Sequence, residues 1–258
     1  MAVAPEVRAY EDQFDLSLSG PTIEFVVGPD LTPVTFHIHE KLVCASSDFC
    51  KCAVNGPWKE SKSRSIVLDD VDASIFQIYV SWLYRAQLPV RIDAPGHEGN
   101  AEYLALARAY VLGDRLQDVA FCDACIDTMI IKSQTPAADG HSWNPVGPVI
   151  ACIYENTTTR SKVRMFLVDL YVRNGVGNWL TKWADKDTDL PKDFLFDLAV
   201  ALLNTRPRPE KQVSQPCEYH EHGKERICYK KLLASSKMPS QDVVNDKGGN
   251  GATDTLPN

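Results

Sequence analysis

The chain has 258 residues, 44% of them hydrophobic and 24% charged, with a formal net charge of −7 at pH 7. A chain of this length makes one or two domains and hides roughly 70% of its unfolded surface on folding. The negative charge argues against nucleic acid and anionic membrane as general partners, since both need clustered Lys and Arg. No stretch approaches the ~20 apolar residues that span a bilayer, and the opening MAVAPEVRAYEDQF lacks the basic-then-apolar pattern of an export signal.

Residues 1–20 are polar and read as a flexible arm. In TIEFVVG, Ile23, Phe25 and Val27 alternate with Glu24 and Val26. After the turn cluster GPDLTP, VTFHIH sets Val34, Phe36 and Ile38 against Thr35, His37 and His39. Period-two alternation on both sides of a turn predicts a β-hairpin with one buried face. A helix is expected from near His39, with Leu42 and Val43 as its apolar positions, and a second from about Ser47 to Asn55, broken by NGPW. RSIVLDD reads as a third strand.

DASIFQIYVSWLYRAQL predicts a strong helix with Asp72 as N-cap and a core-facing stripe of Ile75, Phe76, Tyr79, Trp82 and Leu83. APGHEGN reads as a loop. AEYLALARAYVLGDRLQ is the next helix, with Tyr103, Leu104, Ala107, Tyr110 and Val111 on one side. LQDVAFCDACIDTMIIKS follows, with Val119, Cys122, Ile126, Met129 and Ile130 in register.

Residues 133–147, rich in Pro, Gly, Ala and Ser, read as a linker. A helical region is expected over 148–206. In it Ser161 caps KVRMFLVDLYVRNG, whose stripe is Val163, Phe166, Leu167, Leu170 and Tyr171. LPKDFLFDLAVALLN has Pro191 suited to its first turn, and RPRPEK is a solvated helix exit. Residues 207–234 form a Cys/His-containing tail, and 235–258 are too polar and Gly-rich to build a core. Three strands followed by helices predict an α+β unit rather than a doubly wound sheet.

The segments FHIHEKLVCASSDF, WKES and SIVLDDVDASIFQIYVSWLY together resemble the BTB (POZ) domain. Phe36, His39, Leu42, Ser47, Phe49, Glu60, Ser61, Ile66, Leu68, Phe76, Trp82 and Tyr84 fall on the family pattern. The resemblance places the domain over residues 21–132. VIACIYENTTTRSKVRMFLVDLYV is similar to the short helical tail that follows it in many fungal members. GPTIEFVVG departs from the family's usual first strand, and Glu40 stands where a basic residue is usual. The implied fold is a three-stranded sheet flanked by a helical cluster, then a smaller all-helical region. The implied activity is association: homodimers or heterodimers that recruit other proteins, foremost as adaptor for a cullin-type ubiquitin ligase. A scaffold or transcriptional regulator without ligase linkage is the alternative, and an enzyme with a Cys/His site the remote one.

Reactive readings compete with this. His37 and His39, at i and i+2 of a strand, share a face and could hold a metal; the competing reading has His37 solvated and His39 ordering the helix that follows. HEKLV lacks the second His of the zinc-protease motif. Cys44, Cys50 and Cys52 lie near these histidines, but a catalytic thiol needs a base and an orienting third group, and their apolar setting favours packing. Cys122 and Cys125 form Cys-x-x-Cys inside an amphipathic helix, whereas a redox pair opens a helix after a strand. No phosphate-binding, dinucleotide or nucleophile-elbow motif occurs, so no catalytic or cofactor-binding residue is assigned. Eight cysteines without an export signal point to thiols in a reducing compartment, cytoplasm or nucleus. CEYHEHGKERIC spaces Cys217, His220, His222 and Cys228 as Cys-x2-His-x-His-x5-Cys. Two thiolates and two imidazoles suit a tetrahedral structural zinc, although the common zinc finger is spaced differently; a polar tail is the bland alternative.

Overall fold

The structure, a computed structural model, describes residues 18–184, 190–207, 216–221 and 226–231. Most of the expected N-terminal arm and all of the expected 235–258 tail lie outside them. The chain divides into two compact units, Met1–Arg206 and Pro207–Asn258.

In the first unit, β1 (Thr22–Val27) is the middle strand of a three-stranded sheet. It pairs antiparallel with β2 (Val34–His39) and parallel with β3 (Ser65–Leu68). The register sets Phe25 opposite Phe36 on one side and level with Ile66 on the other. The expected alternation holds: Ile23, Phe25, Val27, Ile38, Ile66 and Leu68 are buried. Val34, at the turn end of β2, stays exposed.

Between β2 and β3 run α1 (Glu40–Ser46), α2 (Asp48–Asn55) and α3 (Lys59–Ser63). The sequence KESKS has no apolar period, which is why α3 was not anticipated. α4 (Ala73–Arg85) starts at Asp72, whose carboxylate accepts the Ser74 N–H at 2.8 Å, the expected N-cap. Its Phe76 lies on the sheet, with ring centroids 5.1 Å from Phe25 and 5.0 Å from Phe36.

α5 (Gly96–Leu116) is the central helix, packed against α2, α4, α6 and α7. Leu106, Ala109, Leu112 and Leu116 are buried beside the expected Tyr103, Ala107 and Tyr110, because neighbours press on it from several sides. It begins at Gly96, not at Ala101 as the loop-like APGHEGN implied. A Cβ at Gly99 would lie 2.1 Å from the Ala94 carbonyl oxygen, so this glycine permits close approach. The Asn100 side-chain oxygen is likewise engaged, accepting the Val146 N–H at 3.1 Å. Gly113 admits α6 (Val119–Gln134): a Cβ there would sit 2.8 Å from the Phe121 ring.

In α6 the expected stripe needs correction. Val119 is 71% exposed, and the buried set is Phe121, Cys122, Cys125 and Met129. Asp118 is the N-cap, so Val119 begins the first turn and faces outward.

Residues 133–147, expected as a linker, complete α6 and then form a strap hydrogen-bonded to its surroundings. Ala138 N–H donates to the Asp93 carbonyl at 3.0 Å, while the hydroxyls of Tyr103 and Tyr171 donate to the Trp143 and Pro145 carbonyls, each at 2.9 Å. There follow α7 (Gly147–Asn156), α8 (Lys162–Asn174), α9 (Gly177–Ala184) and α10 (Lys192–Thr205). The α8 stripe is buried as spaced, with Phe166 partly so and Val168 added. Ser161 is the α8 N-cap by position, but its hydroxyl bonds the Tyr110 hydroxyl at 3.0 Å and caps no amide. Pro191 stands at the N-cap of α10 rather than in its first turn. Buried Arg164 gathers the exit of α7, donating to the Tyr154 carbonyl at 2.6 Å and the Thr157 hydroxyl at 2.9 Å. No helix among the described residues is long and apolar enough to cross a membrane.

Asp118 joins the layers. Its carboxylate is fully buried and accepts the Phe121 N–H at 3.0 Å, the Tyr79 hydroxyl at 3.1 Å and the Ser46 hydroxyl. Beside it Ser47, the N-cap of α2, donates to the Leu116 carbonyl at 2.5 Å and accepts the Cys50 N–H at 3.0 Å. Burial and the neighbouring Asp118 charge push the Tyr79 hydroxyl well above the usual phenol range, so it stays a donor. Asp118→Ala strands two buried donors, the Tyr79 hydroxyl and the Phe121 N–H, and the half-buried Ser46 hydroxyl, and is expected to lose about 3 kcal/mol of stability. Asp72→Ala, at an exposed cap, is expected to lose about 1 kcal/mol. Chemical denaturation of both variants checks this; equal small losses would contradict the central role of Asp118.

Candidate protein-interaction surface

Most residues that carry the sequence resemblance are packing residues. Phe76, Ile66 and Leu68 are buried, and Ser47 is the buried cap just described. Phe36, Leu42, Phe49 and Trp82 are half-buried, and the Trp82 ring lies 6.1 Å from that of Phe121. The Ser61 hydroxyl donates to the Trp58 carbonyl at 2.7 Å, closing the first turn of α3 beside Glu60.

His39 differs from expectation. It occupies the N-cap of α1, but its ring caps nothing there. Instead Nδ1 lies 2.8 Å from the Tyr84 hydroxyl, which also accepts the His39 N–H at 3.2 Å. The pair fastens the end of β2 to the last turn of α4. Glu40, the departure from the family pattern, pairs with Arg64 at 2.6 Å, a partly exposed contact of small net worth.

The thiols are placed for packing. Burial pushes Cys50 and Cys122 up to about 12, and Cys125 higher still. Cys44 is raised by burial first and by the Glu40 charge second. His37 is exposed. Among the described residues, three or more His, Cys, Asp or Glu ligand atoms converge at Cys217, His220 and Cys228, and His37 and His39 join no such set.

The surface of the same layer is apolar in places. Trp58 is 61% exposed and Val67 60%. They line a cleft with Phe49, Ala53 and Ile66, beside β3 at the sheet edge. Aromatic and aliphatic side chains held out to solvent on a rigid layer are the material of protein interfaces.

A family model, the BTB/POZ domain, matches residues 22–126. Residues 22–126 are a BTB/POZ domain. No curated protein matches the chain. The match starts at the first residue of β1 and ends within α6, so it takes in the sheet, α1 to α5 and the Asp118 junction. The BTB/POZ domain is a protein–protein association fold, which supports dimerisation in general terms. Its FHIHEKLVCASSDF stretch is framework: a strand, a helix and the Ser46–Ser47 hinge that meets Asp118.

Beyond the BTB/POZ domain, the second unit brings together three of the four residues singled out in the tail. Cys217 lies on the 3-10 turn Pro216–Tyr219, His220 follows it, and Cys228 Sγ lies 3.4 Å from His220 Nδ1. The ligand atoms of all three fall within 4.8 Å of one another. His222 lies outside the described residues. Hydrophobic periodicity alone singles out neither Asp118 nor Tyr79 as polar partners, nor Trp58 as an exposed aromatic. An Asp directly before the apolar run VAFC was the readable signal for the first.

Two outcomes follow for the BTB/POZ domain. His39→Ala is expected to lose about 1 kcal/mol and Tyr84→Phe somewhat more, because it also strands the backbone N–H of residue 39, with the double variant about the same as Tyr84→Phe alone; full additivity in denaturation would contradict the pairing. At pH 8, iodoacetamide is expected to label Cys52 well before Cys50, Cys122 or Cys125, read by mass spectrometry. The sign of the pH effect follows: raised thiols hold their protons in the fold, so stability is kept below the ordinary value of 9.0 and falls as pH climbs towards about 12.

Proposed function

We propose that the chain is a recruiting platform that pairs through its BTB/POZ domain with a second copy or a related chain. We further propose that it acts as an adaptor delivering partner proteins to a cullin-type ubiquitin ligase, in the cytoplasm or nucleus. One observation carries the reading: the BTB/POZ match covers the rigid layer that holds Trp58 and Val67 out to solvent. A stable pair needs roughly 1,600 Å² of buried surface with apolar anchors near its centre. The adaptor step rests on the family resemblance, in which many members recruit targets to cullins.

Light scattering of the purified full chain, with affinity purification from its own cells and mass spectrometry, tests both steps. The expected result is a dimeric mass and a co-purifying cullin. A dimer without a cullin removes the ligase step and leaves a scaffold or transcriptional regulator. A monomer at micromolar concentration that captures nothing removes the platform itself.

A further inference from the structure

The second unit, Pro207–Asn258, has a chemistry that protein association does not explain. Its described apolar side chains face outward: Ile227 is 66% exposed and Tyr229 55%, and Tyr219 is exposed too. Between the first two, Cys228 is turned inward and only 5% exposed. Among the described residues of this unit the large apolar groups lie in solvent and a thiol is buried, so no hydrophobic core among them assembles the segment. Small units of this kind are commonly fastened by a metal or by disulfides.

The thiol faces Cys217 and His220, and neither Cys217 nor Cys228 forms a disulfide. A tetrahedral zinc holds sulfur at about 2.3 Å and imidazole nitrogen at about 2.0–2.1 Å, so bound S and N atoms stand about 3.5–3.6 Å apart and two S atoms about 3.8 Å. The observed Cys228 Sγ to His220 Nδ1 distance is 3.4 Å, and all three ligand atoms lie within 4.8 Å. A modest closing of the third atom completes three corners of a tetrahedron. The His220 ring is braced by that of Tyr229, centroid to centroid 5.6 Å.

We propose that Cys217, His220 and Cys228 bind a divalent cation of the zinc class, which holds the second unit folded. Two thiolates with an imidazole form a borderline-soft donor set that takes zinc in preference to magnesium or calcium. Binding releases the two thiol protons to solvent, so loading weakens as pH falls. The fourth tetrahedral position falls to a donor outside this set. No electron transfer is involved. The role is structural: the metal ties the turn at Cys217 to the segment at Cys228, and its binding free energy is folding free energy for this unit.

The test uses the full chain, purified under reducing conditions. Elemental analysis is expected to find about one zinc per chain, falling about tenfold in the Cys217→Ser/Cys228→Ser double variant. Far-ultraviolet circular dichroism of that variant is expected to keep the helical signal of the first unit. Should the variant aggregate, cobalt loading of the unaltered chain decides: a cobalt–thiolate charge-transfer band in the near ultraviolet supports the site. Three results would overturn it. These are no stoichiometric metal and no cobalt–thiolate band in the unaltered chain, zinc retained by the double variant, or a peptide map of freshly isolated protein showing Cys217 joined to Cys228 as a disulfide.

Discussion

A single buried carboxylate holds the association domain together. Asp118 lies where the α1–α2 hinge, α4 and the α5–α6 turn meet, and it accepts from Ser46, Tyr79 and the Phe121 amide. A carboxylate taken from water costs several kcal/mol unless its lone pairs are answered. Here three donors from three parts of the chain answer them. Any rearrangement that separates those parts exposes the charge to an apolar interior. The junction therefore acts as a specificity constraint, fixing which helices meet, as well as a source of stability.

The aromatic file running into it gives the constraint its reach. Phe25 touches Phe76, Phe76 touches Tyr79, and Tyr79 touches Phe121, with centroids 5.1, 6.0 and 4.9 Å apart. The sheet is thus coupled to α6 through α4. A part-buried ion pair does similar work on the other side. Lys132 meets Glu102 at 2.7 Å, and Glu102 also accepts the Ile92 N–H at 2.8 Å, pinning the coil between α4 and α5. With its interior polar groups spent on joining elements, the BTB/POZ domain presents a stiff exterior on which Trp58 and Val67 can be held in place. Stiffness favours association, because a preorganised surface loses less entropy on docking.

Elements with a strong local period were legible in the sequence. The alternation in TIEFVVG and VTFHIH, the 3.6-residue stripe of α8 and the Asp72 cap are local, and the structure has all of them. What escaped was set by distant partners. The start of α5 hid behind Gly99, where the glycine answers the Ala94 carbonyl rather than a need for flexibility. Ser161 reads as a cap because nothing local reveals Tyr110 beside its hydroxyl. His39 and Tyr84 stand 45 residues apart, so their bond could not be read from spacing. The tail is a separate case: ligand type and spacing mark Cys217, His220, His222 and Cys228, of which the described Cys217, His220 and Cys228 bring their ligand atoms together.

Native-state hydrogen exchange tests the central claim most directly, because it reads the opening free energy of each junction separately. If Asp118 makes the sheet and helices one cooperative body, the Phe121 and Cys50 amides exchange with the same opening free energy as the buried amides of β1, that of global unfolding. Exchange of Phe121 and Cys50 by a local opening orders of magnitude more frequent than that of β1 would contradict it.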